Sequence, residues 1–144
     1  MLTIVLCLAE HHTHGEGPYT MARILIIDDN APTRDILRQA LERAGYEVVE
    51  AADGRVGIAH QRAMPAEVII TDLLMPDQEG LETIRELRRD FPTTGIIAMS
   101  GGGQIGYDTL LTMAERLGAQ RVLQKPFGLR DMLDAVHQLL QQQA

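Results

Sequence analysis

The chain reads as a single α/β domain, a doubly wound parallel sheet of five strands with five helices. Two observations predict it. Short β-branched apolar runs alternate five times with segments of helical period between Arg23 and the C-terminus. Several of those runs are apolar at every position, as expected of strands covered on both faces. Such alternation implies right-handed crossovers that lay helices on either side of one sheet. At 144 residues the chain is long enough for one substantial core.

The elements follow in order. "RILII" (23–27) is the first strand. "APTRDILRQALERAG" is a helix with Ile36, Leu37, Ala40, Leu41 and Ala44 on one stripe, Asn30 as N-cap and Gly45 as its stop. "YEVVEA" is a weaker strand, suited to an edge, and "DGRVGIAHQRAM" is a mediocre helix weakened by Gly57. "AEVIITD" is a strand, followed by the helix "GLETIRELRRDF" with Leu81, Ile84 and Leu87 inward and Pro92 as its end. "TGIIAMS" is a strand, "QIGYDTLLTMAERLG" a helix and "AQRVLQ" the last strand. "LRDMLDAVHQLLQQQ" closes the pattern, with Met132, Leu133, Val136, Leu139 and Leu140 facing inward.

Composition excludes several classes. The net charge is −7 and no basic stripe is present, which argues against direct nucleic-acid binding. The single Cys7 forms no internal disulfide, and the chain suits a reducing cytoplasm. "LTIVLCLA" is too short to span a bilayer, and no Lys or Arg precedes Arg23, so the charged start of a signal peptide is missing. His11, His12 and His14 lack the spaced partners of a metal site and read as solvated linker. Residues 1–20 are therefore expected to be an N-terminal extension, and residues 21–144 the domain.

Polar residues interrupt the ends of the apolar strands. The first strand ends in Asp28-Asp29, the third in Asp72 and the fourth in Ser100, and the fifth runs into Lys125. In a doubly wound sheet these carboxyl ends share the edge where ligands bind. Each residue alone has an ordinary structural use as a cap or turn. Their common placement at carboxyl ends points to a site. Three clustered carboxylates repel one another and invite a divalent cation, and an all-oxygen site with few protein ligands suits Mg2+. One carboxylate can then attack a phosphoryl group to give an aspartyl phosphate. Mg2+, the Lys125 ammonium and the Ser100 hydroxyl would neutralise the transferred group from three sides. Gly101 keeps the approach beside Ser100 open. Lys125 is the only lysine among thirteen basic residues. A compact ammonium fits such a site better than a planar guanidinium.

The motifs "IIDDN", "ITDLLMPDQEG", "IIAMSG" and "LQKPF" together resemble the receiver domain of two-component response regulators, over about residues 21–143. The resemblance implies a flavodoxin-like fold with strand order 2-1-3-4-5. It implies Asp72 as phosphoacceptor, and Asp28 and Asp29 as Mg2+ ligands together with Asp72 and the Leu74 carbonyl. Ser100 would be the switch hydroxyl and Lys125 the phosphate-binding lysine, joined to Pro126 by a cis bond. Gly80 matches the family's glycine after the phosphorylation loop. Implied partners are a sensor histidine kinase or phosphotransfer protein and a downstream protein target. The target would meet the fourth helix, fifth strand and fifth helix. Such a protein is no enzyme beyond its own phosphorylation and slow dephosphorylation.

The sequence departs from the family at Val122, where an aromatic residue usually stands three positions before the lysine. Switching is then expected to rest on the glycine-rich stretch after Ser100. Leu74 and Gly102 offer no side chain to position an attacking water, which implies a long-lived phosphoryl group. The chain stops with the fifth helix, as in a stand-alone receiver. The alternatives are a phosphorylation-independent interaction module and a receiver fragment of a longer regulator or hybrid kinase. A phosphatase of the haloacid dehalogenase type ranks last, because residue 30 is Asn where that family has a second Asp.

Overall fold

The computed structural model describes residues 21–73, 80–101 and 107–143. Residues 1–20, Leu74 and Gly102 lie outside them, as does most of the glycine-rich stretch. The described strands are β1 (Arg23–Ile27), β2 (Glu47–Ala51), β3 (Val68–Asp72), β4 (Gly95–Ser100) and β5 (Arg121–Gln124). The helices that alternate with them are α1 (Ala31–Arg43), α2 (Gly54–Ala63), α3 (Gly80–Asp90), α4 (Tyr107–Leu117) and α5 (Leu129–Gln143). All strand pairings are parallel, in the order β2-β1-β3-β4-β5. The expected topology is the observed one, with "YEVVEA" forming an edge.

The alternation of side chains along β1 shows how the sheet divides the core. Ile24 and Ile26 pack in a cluster with Leu37 and Leu41 of α1 and with Met132, Val136 and Leu139 of α5. Leu25 and Ile27 belong to the opposite cluster, with Ile58 of α2, Ile84 and Leu87 of α3 and Ala114 of α4. Successive strand residues point to opposite faces, so a strand between two helical layers must be apolar throughout.

Local chemistry fixes the helix ends. The Asn30 side chain accepts a hydrogen bond from the Thr33 amide at 2.8 Å, capping α1 as expected. Gly45 follows α1 with φ +98°, a left-handed turn that glycine adopts without strain. Two residues of the expected stripe are not inward. Ile36 is 55% exposed and Ala44 is exposed at the C-cap. Leu37 and Leu41 face the sheet, and Ile36 sits about 100° round the axis from Leu37.

Gly57 also has another meaning. A Cβ there would lie 2.4 Å from Cδ1 of Ile27, so the glycine lets α2 approach β1 closely. In the last turn of α2, the buried Gln61 side chain accepts from the Ala66 amide at 2.8 Å and donates to the Ala66 carbonyl at 3.1 Å. It thereby satisfies the main chain that leads into β3.

Candidate functional site

The end of β1 is held from several directions. The Asp28 amide donates to the Ala51 carbonyl at 3.1 Å, extending the β1–β2 ladder by one step. Its carboxylate Oδ1 accepts from the Asn30 amide at 2.8 Å, an Asx turn that sends the chain into α1. Its carbonyl accepts from Arg34 Nη1 at 2.6 Å. Asp28 is fully buried, while the next residue, Asp29, is exposed at the rim.

Asp72 ends β3, beside β1 in the sheet, and is buried. Carboxylate oxygens of Asp28, Asp29 and Asp72 lie within 4.8 Å of one another. At that separation each pair of like charges repels by about 3 kcal/mol at an effective dielectric of about 20. Lys125, just past β5, reaches across the edge. Its Nζ lies 2.9 Å from Asp28 Oδ2 and 3.3 Å from Asp72 Oδ2. Burial pulls the Lys125 pKa down, but the hydrogen bond to Asp28 and the charges of Asp72 and Asp28 outweigh it and hold the ammonium above its usual value. Three carboxylates against one ammonium leave a formal charge of −2 at the cluster.

Ser100 ends β4, next to β3, and is fully buried. Its carbonyl accepts from the Lys125 amide at 2.7 Å, and the Lys125–Pro126 bond is cis. Among the described residues, nothing lies within 4 Å of where a Cβ on Gly101 would be. A Cβ on Gly80 would lie 2.3 Å from the Asp72 carbonyl oxygen and 2.4 Å from Leu73 Cα, so α3 starts in contact with the end of β3.

Of the residues expected from sequence, the structure gathers Asp28, Asp29, Asp72 and Lys125 into one cluster. It puts Ser100 on the adjoining strand end. Sequence reasoning missed Arg34 and Glu50, whose side chains meet at 3.2 Å beside this cluster. An arginine on the first turn of a helix carries no signal that separates it from other surface arginines.

A family pattern described as the response regulator receiver domain matches residues 24–137. The chain is 33% identical over 139 residues to a probable transcriptional regulatory protein of Picosynechococcus sp., covering 92% of this chain and 54% of that protein. It is 30% identical over 118 residues to the chemotaxis protein CheY of Thermotoga maritima, covering 81% and 96%. Among solved structures, a CheY-like response regulator receiver domain protein from Methanospirillum hungatei JF-1 matches with a TM-score of 0.80 and 29% identity, covering 86% and 97%. The chain thus spans about half the length of the first transcriptional regulator it matches.

Proposed function

Because the chain belongs to the response regulator receiver domain family, we propose that it is a cytoplasmic phosphoacceptor that takes a phosphoryl group from a histidine kinase or phosphotransfer protein onto Asp72, with Mg2+ as cofactor. The supporting observation is the cluster of Asp28, Asp29 and Asp72 within 4.8 Å, bridged by Lys125. Its formal charge of −2 and all-oxygen donors suit a small divalent ion. Asp28, Asp29 and Asp72 would hold Mg2+, with the Leu74 carbonyl as a further ligand. When bound, Mg2+ neutralises charge on the phosphoryl oxygens.

The chain's own residues do the rest. An Asp72 oxygen attacks phosphorus, the new P–O bond forms as the P–N bond of a phosphohistidine breaks, and the imidazole leaves. The Lys125 ammonium, already bonded to Asp72, pairs with a phosphoryl oxygen, and the Ser100 hydroxyl donates to another. The Lys125 pairing with Asp28 aims the ammonium before the donor arrives. Burial of Asp72 limits the approach of water.

The donor has a surface to rest on. An apolar groove of about 530 Å³ opens beside Lys125, lined by Ile36, Leu37, Pro126, Phe127 and Leu129. Ile36 at 55% and Leu129 at 41% exposure leave apolar area for the phosphodonor protein to cover. The downstream target would meet α4, β5 and α5, and no direct contact with DNA is proposed. Val122 is half-buried and packs with the α4-side core, so no ring is available there to switch. The proposed domain spans residues 21–144, with residues 1–20 as an extension. The catalysis proposed is confined to the protein's own phosphorylation and slow dephosphorylation.

Acetyl phosphate with Mg2+ should give one phosphoryl adduct by intact mass, lost in Asp72→Asn and when Mg2+ is chelated. An adduct of equal yield in Asp72→Asn would place the acceptor elsewhere.

A further inference from the structure

We propose that Arg34, braced by Glu50, is a positioning residue that holds the metal-binding turn in its binding shape. This rests on the reading that Asp28 and Asp29 hold Mg2+. Arg34 Nη1 donates to the Asp28 carbonyl at 2.6 Å, and Arg34 Nε pairs with Glu50 Oε1 at 3.2 Å. Glu50 is clamped on its other oxygen by Arg38 Nε at 3.2 Å. The Arg34 side chain is only 17% exposed. Its guanidinium therefore links β2, α1 and the turn between β1 and α1.

The geometry separates this role from that of a nearby charge. Arg34 is bonded to the main-chain carbonyl of Asp28, whereas the cation on the carboxylates is Lys125. The Asp28 amide is anchored to Ala51 of β2, and Arg34 anchors the carbonyl of the same residue. With both main-chain groups fixed, the peptide between Asp28 and Asp29 is set in orientation, and so is the direction in which each carboxylate leaves the chain. A planar fork can hold a carbonyl and a carboxylate together, which a lysine cannot do with one ammonium. Partners that orient metal ligands typically change metal affinity about 10–100-fold when removed.

A charge role and a positioning role predict opposite signs. Taking a positive charge away from an acidic site should tighten Mg2+ if Arg34 acts only through its charge. If it positions the turn, Mg2+ should weaken. Titration calorimetry of the full chain with MgCl2 measures this directly, with Arg34→Met, Arg34→Lys and Glu50→Gln beside the wild type. We expect Mg2+ to bind Arg34→Met about 10-fold more weakly. Arg34→Lys should not restore the affinity, and Glu50→Gln should weaken it by a smaller factor. Protection of the Asn30 amide against hydrogen exchange, read without Mg2+, should fall in the same order.

Unchanged or tighter Mg2+ binding in Arg34→Met, with unchanged Asn30 protection, overturns the proposal. Should Arg34→Met fail to fold, the Arg34→Lys and Glu50→Gln titrations decide, and wild-type affinity in both overturns it. A wild type that takes up no Mg2+ refutes the metal reading itself, and with it this inference. A wild type that binds beside variants that bind equally refutes only the role of Arg34.

Discussion

Replacing Gly80 with alanine tests how α3 is coupled to the carboxylate at the end of β3. The added methyl would meet main-chain atoms, the Asp72 carbonyl at 2.3 Å, Leu73 Cα at 2.4 Å and the Leu73 carbonyl at 2.6 Å. No side-chain rotation relieves such contacts, so α3 or the strand end must move by about 1 Å to reach ordinary packing distance. Overpacking of this kind costs about 1–3 kcal/mol. Alanine regains at most about 1 kcal/mol of helix propensity, and less at a first helical residue. The expected net loss is about 2 kcal/mol. With an m-value of about 2 kcal/mol/M, the urea midpoint should fall by about 1 M. The same movement acts on Asp72, and misplacing a reacting group by about 1 Å can slow a reaction about 100-fold. Labelling by acetyl phosphate should therefore slow more than the stability loss explains, measured well below the unfolding transition. Gly128→Ala is the control, since a Cβ there would meet only Asp131 Oδ2, at an ordinary 3.7 Å. A Gly80→Ala midpoint and labelling rate equal to those of the control would refute the close-contact argument.

Lys125→Met leaves the buried Asp28 facing Asp72 without their shared cation. Breaking a fully buried pair costs about 3–5 kcal/mol. The Lys125 side chain is 26% exposed and screened by water, so a loss of about 1–2 kcal/mol is expected. The Lys125 pKa is raised in the folded protein, so this contribution is complete below the ordinary lysine value and fades as pH climbs through the raised one. Thermal melts between neutral and alkaline pH should show the deficit closing; a constant deficit would assign it to lost packing. Gln61→Leu strands the buried amide and carbonyl of Ala66 and should cost about 2–3 kcal/mol by urea unfolding. A loss under about 0.5 kcal/mol would show that the turn finds other partners.

What the sequence revealed tracks the kind of physics involved. β1 and α5 were legible to the residue, because a continuous apolar run and a strong helical period each admit one reading. The Asn30 cap was legible from local chemistry. The gathering of Asp28, Asp29, Asp72 and Lys125 was legible because these residues interrupt apolar strands at one end, a one-dimensional trace of a three-dimensional edge. Close approach between segments distant in the chain was not legible. Gly57 looked like a weak helix position and proved to be the space that Ile27 occupies. Gln61 and Arg34 carry no signal in the sequence that sets them apart, yet each satisfies main-chain groups elsewhere in the fold. Ile36 followed the apolar stripe and still faces outward, because period alone does not fix where the buried arc ends.

In the proposed phosphoryl site, the hydrogen bond from the Lys125 amide to the Ser100 carbonyl would make two donors into one chelating arm. Hydroxyl and ammonium belong to residues at neighbouring strand ends, and a 2.7 Å main-chain link joins roots that lie 24 intervening residues apart in sequence. An anion that engaged one would find the root of the other at fixed range, because the freedom of that main chain was already given up on folding. The reverse also holds. Strain that lifts either root shifts both, so the arm should grip or release an anion as a unit.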